Sequence, residues 1–110
     1  RRWFNLFSTI ITERQVQYHW KIKINEYNRD WVMIIGIMDT CYIDEYVQYN
    51  NNNGNKNYFA KSKYGYGIDA SGNLQNGGKN GGKYCQEFKN GDIVDVYFDM
   101  KQFVLWYGLN

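Results

Sequence analysis

A two-residue alternation of apolar and polar side chains is the dominant pattern along this chain. Its clearest case sets Tyr18, Trp20, Ile22 and Ile24 against His19, Lys21 and Lys23. Successive side chains of a β-strand point to opposite faces, so this stretch would bury one face and leave the other in water. The pattern predicts a half-buried antiparallel strand.

A second stretch, residues 31–38, is apolar almost throughout and carries Gly36. A strand without polar alternation has both faces covered, so this one is predicted to be a central strand. A glycine inside a strand often marks the close approach of another chain segment, which we expect at Gly36.

Further strand candidates, separated by Asn/Gly-containing segments, are residues 7–11, 64–68, 93–98 and 103–109. Short strands at this spacing predict an all-β fold, either a β-sandwich or a barrel. Residues 40–49 are the single helical candidate. The predicted core is Trp20, Ile22, Trp31, Ile35, Ile37, Val96, Phe98, Leu105 and Tyr107.

Two polar stretches interrupt the strands. Residues 49–58 are rich in asparagine and cannot bury enough apolar surface to fix their backbone. Residues 72–83 are rich in glycine and are predicted to form a surface loop. The chain has no proline, so its turns depend on steps such as Asn90-Gly91.

The composition is that of one globular domain, residues 1–110, with a core built largely from aromatic side chains. A net charge of +2 is too small for a nucleic-acid or anionic membrane surface, so neither partner is expected. Cys41 and Cys85 lie far apart without a CxxC motif, and we expect free thiols rather than a disulfide or zinc site. We expect a cytoplasmic protein.

No motif for catalysis or cofactor binding stands out. The single histidine, His19, lies on the polar face of its strand, which favours a structural or solvent-facing role. The glycines of "GYGIDASG" do not have dinucleotide-loop spacing, and no Ser or Thr follows the Gly-Gly-Lys steps as phosphate binding requires. Asp92 and Asp99 bracket a strand as turn residues, so a paired-carboxylate glycosidase is disfavoured. The sequence predicts a non-enzymatic protein without metal or cofactor.

The C-terminal half resembles the SPRY family. The residues that carry this resemblance are Tyr64-Gly65-Tyr66, Phe88, Gly91-Asp92, Val96, Asp99, Leu105, Tyr107 and Asn110. Upstream, "YHWKIKI" with Trp20 and "WVMIIGIM" with Gly36 are similar to two further family strands. The resemblance extends from about residue 7 onward.

Three positions depart from the family pattern. Lys21 stands where the family usually has glutamate, so an ion pair made there would be absent or reversed. Asp95 replaces a common glycine, so that face of its strand must be polar or wet. Family members usually continue beyond Asn110 into further strands, so the resemblance implies a domain truncated at its C-terminus.

The resemblance implies an antiparallel two-sheet sandwich of concanavalin-like jelly-roll type. It also implies a monomeric binding module inside a larger, intracellular eukaryotic protein. Such adaptor domains bind a peptide or partner protein through rim loops, in some cases to recruit ubiquitin-ligase substrates. The alternative is a carbohydrate-binding, lectin-like domain that uses exposed aromatic rings.

The expected binding surface gathers tyrosines and lysines before and on the "YGYG" strand. Rigid aromatic rings give large contact area at low entropy cost. The candidate ligand-binding residues are Tyr46, Tyr49, Tyr58, Lys61, Lys63, Tyr64 and Tyr66. Tyr49 best matches the ligand-contacting tyrosine that the resemblance implies, and the two lysines favour an acidic peptide.

Overall fold

The computed structural model describes residues 17–26, 33–39 and 58–110. Those residues form seven strands and a single turn of 3₁₀ helix, Phe59–Lys61. The strands are β1 (Gln17–Lys23), β2 (Ile34–Met38), β3 (Gly65–Asp69), β4 (Asn73–Asn76), β5 (Lys79–Lys83), β6 (Ile93–Asp99) and β7 (Val104–Leu109). Within these ranges, no helix is long and apolar enough to cross a membrane.

The strands form two antiparallel sheets that enclose one apolar core. One sheet has the order β1-β6-β7 and the other the order β2-β3-β4-β5. Apolar residues from both sheets share a single buried cluster, with Val96 contributed by the first sheet and Ile68 by the second. The fold is therefore an all-β, two-sheet antiparallel sandwich, which is one of the two architectures that the strand spacing predicts and the one that the resemblance implies.

The centre of the three-stranded sheet shows why the alternation predicts its buried face. Trp20 lies opposite Val96, and Val96 lies opposite Tyr107, so one row of large side chains crosses all three strands. Val96 and Tyr107 are buried as expected, whereas Trp20 is half-buried and packs against the cluster. The alternate residues of the same strands form the outer face of the sheet.

Ile22 was predicted to be in the core, but the structure leaves it exposed. It shares the inner face of β1 with Trp20, but it is 37% exposed. β1 is at the end of the order among the described strands, so Ile22 has a neighbouring strand on one side only, that of Val94. The other predicted core residues are half-buried (Ile35, Ile37, Phe98 and Leu105) or outside the described residues (Trp31).

Several of the most buried residues were not in the predicted core. They are Ile24, Ile68, Ala70, Phe88 and Val94. Phe88 is 2% exposed although it lies between strands rather than in one. Its N–H donates to the Ala70 carbonyl at 2.8 Å, which fixes this connection over the core. Periodicity within strands gives no signal for such a residue.

The glycine-rich stretch at residues 72–83 forms a β-hairpin rather than the predicted loop. β4 pairs with β3 and β5, and the turn between β4 and β5 contains two glycines with positive φ, Gly77 (62°) and Gly78 (74°). A two-residue turn of this kind matches the twist of paired strands. Every residue of β5 is exposed. The strand pairs nevertheless, because the hydrogen bonds between strands come from the backbone and do not require apolar side chains.

The remaining predicted elements have mixed outcomes. The expected strands at residues 64–68, 93–98 and 103–109 correspond to β3, β6 and β7. Residues 7–11 and 40–49 lie outside the described ranges. β2 is at the end of its order among the described strands and is half-buried throughout, so its central position stays a prediction.

Gly36 has the close neighbour that its position in a strand predicted. It pairs with Gly67 on β3, and a Cβ placed on Gly36 would lie 1.8 Å from the Tyr66 carbonyl oxygen. Any side chain at this position would therefore separate β2 from β3.

Cys85 is a free thiol, as expected. It is partly buried against the core, and burial raises its thiol pKa. The thiolate is the reactive form of cysteine, so this environment disfavours reactivity. Cys41 lies outside the described residues.

Candidate functional site

The described part of the predicted binding surface is one continuous stretch, residues 58–66, which we call the tyrosine segment. Its 3₁₀ turn is closed by Lys61 N–H, which donates to the Tyr58 carbonyl at 2.9 Å. Ser62 then forms a second turn, because its carbonyl accepts from Gly65 N–H at 3.1 Å and its hydroxyl accepts from Tyr64 N–H at 3.1 Å. Local hydrogen bonds thus define the backbone up to the start of β3.

The tyrosine segment is also bonded to the turn between β4 and β5. Gly77 N–H donates to the Ser62 carbonyl at 3.1 Å, and Gly78 N–H donates to the Ala60 carbonyl at 3.0 Å. The Asn76 side-chain amide donates to the Lys63 carbonyl at 3.0 Å and to that of Gly65 at 2.8 Å. The segment is therefore held on the four-stranded sheet by backbone contacts that do not depend on its exposed side chains.

Glycines on β3 let the segment approach the sheet closely. A Cβ on Gly65 would lie 2.2 Å from the Phe59 carbonyl oxygen. A Cβ on Gly67 would lie 3.1 Å from the Phe59 ring. The "YGYG" spacing thus has a packing role, since Gly65 and Gly67 leave room on one face of β3 for the turn around Phe59.

The exposed side chains of the tyrosine segment combine aromatic rings with positive charge. Lys61 and Lys63 are exposed, and Tyr58 and Tyr64 are half-buried. Lys63 Nζ lies 5.1 Å from the centroid of the Tyr64 ring, within cation–π range. Tyr64 therefore has a cation beside its ring on a backbone that is already ordered.

Tyr66 has a different orientation from the rest of the predicted set. Strand alternation places its side chain on the face of β3 opposite to Gly65 and Gly67, the face that also carries the buried Ile68. It is nevertheless 45% exposed. The structure thus places Tyr58, Lys61, Lys63 and Tyr64 in one segment and Tyr66 across the strand. Tyr46 and Tyr49 lie outside the described residues.

A second candidate surface, which the sequence did not reveal, is the outer face of the three-stranded sheet. His19 lies opposite Tyr97 on β6, and Tyr97 lies opposite Trp106 on β7. The rings stack in sequence, with centroids 4.2 Å apart for His19 and Tyr97 and 5.3 Å apart for Tyr97 and Trp106. We call these three residues the aromatic row. Each belongs to a different strand, so only the cross-strand register brings them together.

Asp95 lies beside the aromatic row and is only 6% exposed. His19 Nε2 and Lys21 Nζ approach the same oxygen, Oδ1, at 2.6 Å and 2.9 Å. The hydrogen bond from His19, followed by that from Lys21, lowers the pKa of Asp95 below its usual value. The sequence predicts that this face of β6 is polar or wet, and the structure has there a buried carboxylate bonded to His19 and Lys21.

Asp92 and Asp99 have the turn roles predicted from the sequence. Asp92 accepts from the Asn110 side chain at 2.9 Å and from Lys89 N–H at 2.8 Å, and these bonds lower its pKa. Asp99 accepts from Gln102 N–H at 3.0 Å and Lys101 N–H at 2.9 Å, and its pKa is lowered mainly by the first of these bonds. Both carboxylates stabilise turns at the ends of β6.

In the part of the chain that the structure describes, no three His, Cys, Asp or Glu side chains are grouped as a metal site would require. No protein-family model and no curated protein sequence matches the chain. The candidate surfaces must therefore be interpreted from their own chemistry.

Proposed function

We propose that this domain is a non-enzymatic protein-binding module of SPRY type that takes a peptide or partner protein on the tyrosine segment. One observation carries the proposal. Tyr58, Lys61, Lys63 and Tyr64 project from a backbone already fixed by hydrogen bonds from the β4–β5 turn. A preorganised surface loses little conformational entropy when it binds, so more of the contact energy contributes to affinity.

The chemistry of the segment favours an acidic peptide. Between residues 58 and 84 there are four lysines and one acidic residue, Asp69. Asp69 is buried, and its carboxylate accepts from Asn73 N–H at 2.9 Å and the Gln75 side chain at 2.8 Å. The exposed charges of the tyrosine segment itself are therefore the two lysines, with an aromatic ring beside Lys63. One exposed carboxylate lies next to the segment, that of Asp39, whose N–H donates to the Tyr64 carbonyl at 3.1 Å. An adaptor that recruits substrates to a ubiquitin ligase is one role such a module would serve.

An array of acidic, neutral and basic peptides tests this proposal. We expect the wild-type chain to bind acidic peptides, and the double variant Lys61→Ala/Lys63→Ala to lose that binding. The matched control is Lys89→Ala/Lys101→Ala, which removes the same charge from exposed positions outside the tyrosine segment.

Tyr64→Ala should also weaken binding, because it removes the ring next to Lys63. The same assay with Tyr49→Ala tests the tyrosine implied by the SPRY resemblance. The proposal is wrong if the chain binds none of the peptides, or if both double-lysine variants lose binding to the same extent. Circular dichroism must show that each variant is folded.

The second candidate function is carbohydrate binding, and the aromatic row favours it. Trp106 is 39% exposed, and its ring is stacked on one side against Tyr97. β7 is the last strand of the described sheet, so among the described strands none lies on the other side of Trp106. Binding to a glycan array that Trp106→Ala abolishes, without peptide binding, would replace the protein-binding proposal.

A further inference from the structure

β7 is the last of the described strands in its sheet, and backbone groups on its outer edge point away from β6. Asn110 N–H donates to the Ile93 carbonyl at 2.8 Å, so this pair is a hydrogen-bonded pair of the antiparallel ladder. Hydrogen-bonded and non-hydrogen-bonded pairs alternate along such a ladder. The N–H and C=O groups of Leu105, Tyr107 and Leu109 are therefore directed away from β6, toward the open edge.

Tyr84 occupies the middle of that edge. Its hydroxyl donates to the Tyr107 carbonyl at 2.9 Å and accepts from Tyr107 N–H at 3.2 Å. The two rings meet edge to face, with centroids 5.9 Å apart. One hydroxyl thus makes both hydrogen bonds that a residue of a neighbouring strand would make with Tyr107.

The edge has none of the usual sequence features that prevent strand pairing. Exposed edge strands are commonly protected by charged residues or proline. Residues 103–110 contain neither, and Phe103, Val104 and Trp106 are exposed there. Within the described part of the chain, the Tyr84 hydroxyl is the group that obstructs this edge.

We propose that β7 is a self-pairing edge and that Tyr84 keeps it closed. Without the Tyr84 hydroxyl, β7 would pair antiparallel with β7 of a second copy of this chain. A second copy fits because the edge is uncharged, so two copies bring no like charges together. A two-fold register centred on Trp106 places Leu105 opposite Tyr107 of the second copy. Both side chains belong to the inner face of the sheet, so the inner faces of the two copies become continuous.

Sedimentation of the full 110-residue chain over a concentration series tests the proposal. Tyr84→Phe removes the hydroxyl and little else. Tyr66→Phe is the matched control, since Tyr66 is exposed to nearly the same extent, 45% against 43% for Tyr84, and lies on β3. We expect Tyr84→Phe to dimerise with an association constant on the order of a thousandfold above the wild type and the control, because the wild type gives up four hydrogen bonds, two in each copy.

A third variant locates the interface. Adding Trp106→Lys to Tyr84→Phe places two like charges directly opposite each other at the centre of the two-fold register, so the chain should return to monomer. The proposal is overturned if folded Tyr84→Phe stays as monomeric as the wild type. It is also overturned if the wild type or the Tyr66→Phe control dimerises equally, or if Trp106→Lys does not reverse the association.

Amide hydrogen exchange gives an independent test on the wild type, which applies even if Tyr84→Phe fails to fold. The Tyr107 amide should be protected, because it donates to the Tyr84 hydroxyl. The outward amides of Leu105 and Leu109 should exchange faster. Equal exchange at all three positions would overturn the proposal.

Discussion

Lys21 and Asp95 lie directly opposite each other on β1 and β6, with Lys21 Nζ 2.9 Å from Asp95 Oδ1. These are two of the positions at which the sequence departs from the SPRY pattern. Each charge supplies the partner of the other across the two strands. Lys21 is accordingly stabilised in its charged form, and the hydrogen bond to Asp95 raises its pKa.

The first prediction follows from this pair. Lys21→Glu places a second carboxylate against the nearly buried Asp95, so it should lower the melting temperature. Lys23→Glu makes the same charge change two residues along the same face of β1, opposite Ile93 rather than a carboxylate, and should have a smaller effect. The double variant Lys21→Glu/Asp95→Asn should recover part of the loss, because it removes the contact between like charges. Equal effects of the two single variants in thermal melts would contradict this coupling.

The second prediction concerns acid stability. Asp95 has a pKa below its ordinary value of 3.8, because His19 and then Lys21 bond to its ionised form. A lowered folded-state pKa adds stability that is present above the unfolded value and is lost as the pH falls through the folded value. The free energy of unfolding should thus decline below about pH 4.

Asp95→Asn should lower stability at neutral pH and reduce this acid dependence. It should not abolish the dependence, since Asp92 and Asp99 also have lowered pKa values. Urea titrations at a series of pH values measure both effects. If Asp95→Asn has the acid dependence of the wild type, the carboxylate is not ionised in this pair.

The third prediction concerns the approach of β2 to β3. Gly36→Ala should cost at least about 2 kcal/mol, because overpacking a fixed contact is destabilising and the new Cβ would meet the Tyr66 carbonyl. Gly81→Ala on β5 is the control, as its Cβ would lie 3.3 Å from the Leu74 side chain. If chemical denaturation gives the two variants equal stability, β2 and β3 can move apart at Gly36 without loss of stability, and the prediction is wrong.

The fourth prediction ranks two aromatic residues of the core. Phe88→Ala should cost about 3–5 kcal/mol, the usual range for removing a buried aromatic ring. Trp20→Ala should cost less, because Trp20 is half-buried whereas Phe88 is 2% exposed. Phe103→Ala removes an exposed ring and should change stability by about 0.5 kcal/mol or less. Equilibrium unfolding in urea measures all three, and a larger cost at Trp20 would reverse the ranking.

The parts of the fold that could be predicted are those that depend on local alternation. β1, β6 and β7 carry their inner residues at every second position, and the structure confirms those strands. The exposure of Ile22 could not be predicted, because alternation gives the face on which a side chain lies and not how many strands lie beside it. The β4–β5 hairpin was missed since its pairing depends on backbone bonds and on glycines in a tight turn.

The candidate site divides in the same way. The residues of the tyrosine segment lie together because they are close in sequence, and their role in binding stays a prediction. The aromatic row could not be predicted, because His19, Tyr97 and Trp106 become neighbours only through the register of three strands. Tyr84 is similar, since 23 residues separate it from Tyr107 and no local pattern joins them.

The pairing of β1 with β6 has a consequence for how fast this chain folds. His19 and Asp95 are 76 residues apart in sequence, yet they belong to adjacent strands. Closing so long a loop costs entropy before any contact between the two strands is gained. The β6–β7 hairpin can form early, because a short turn joins its strands, whereas β1 must wait for the chain between to collapse. Such non-local topologies fold in milliseconds to seconds, and until β1 docks, the edge of β6 that faces away from β7 stays unpaired in a newly made chain.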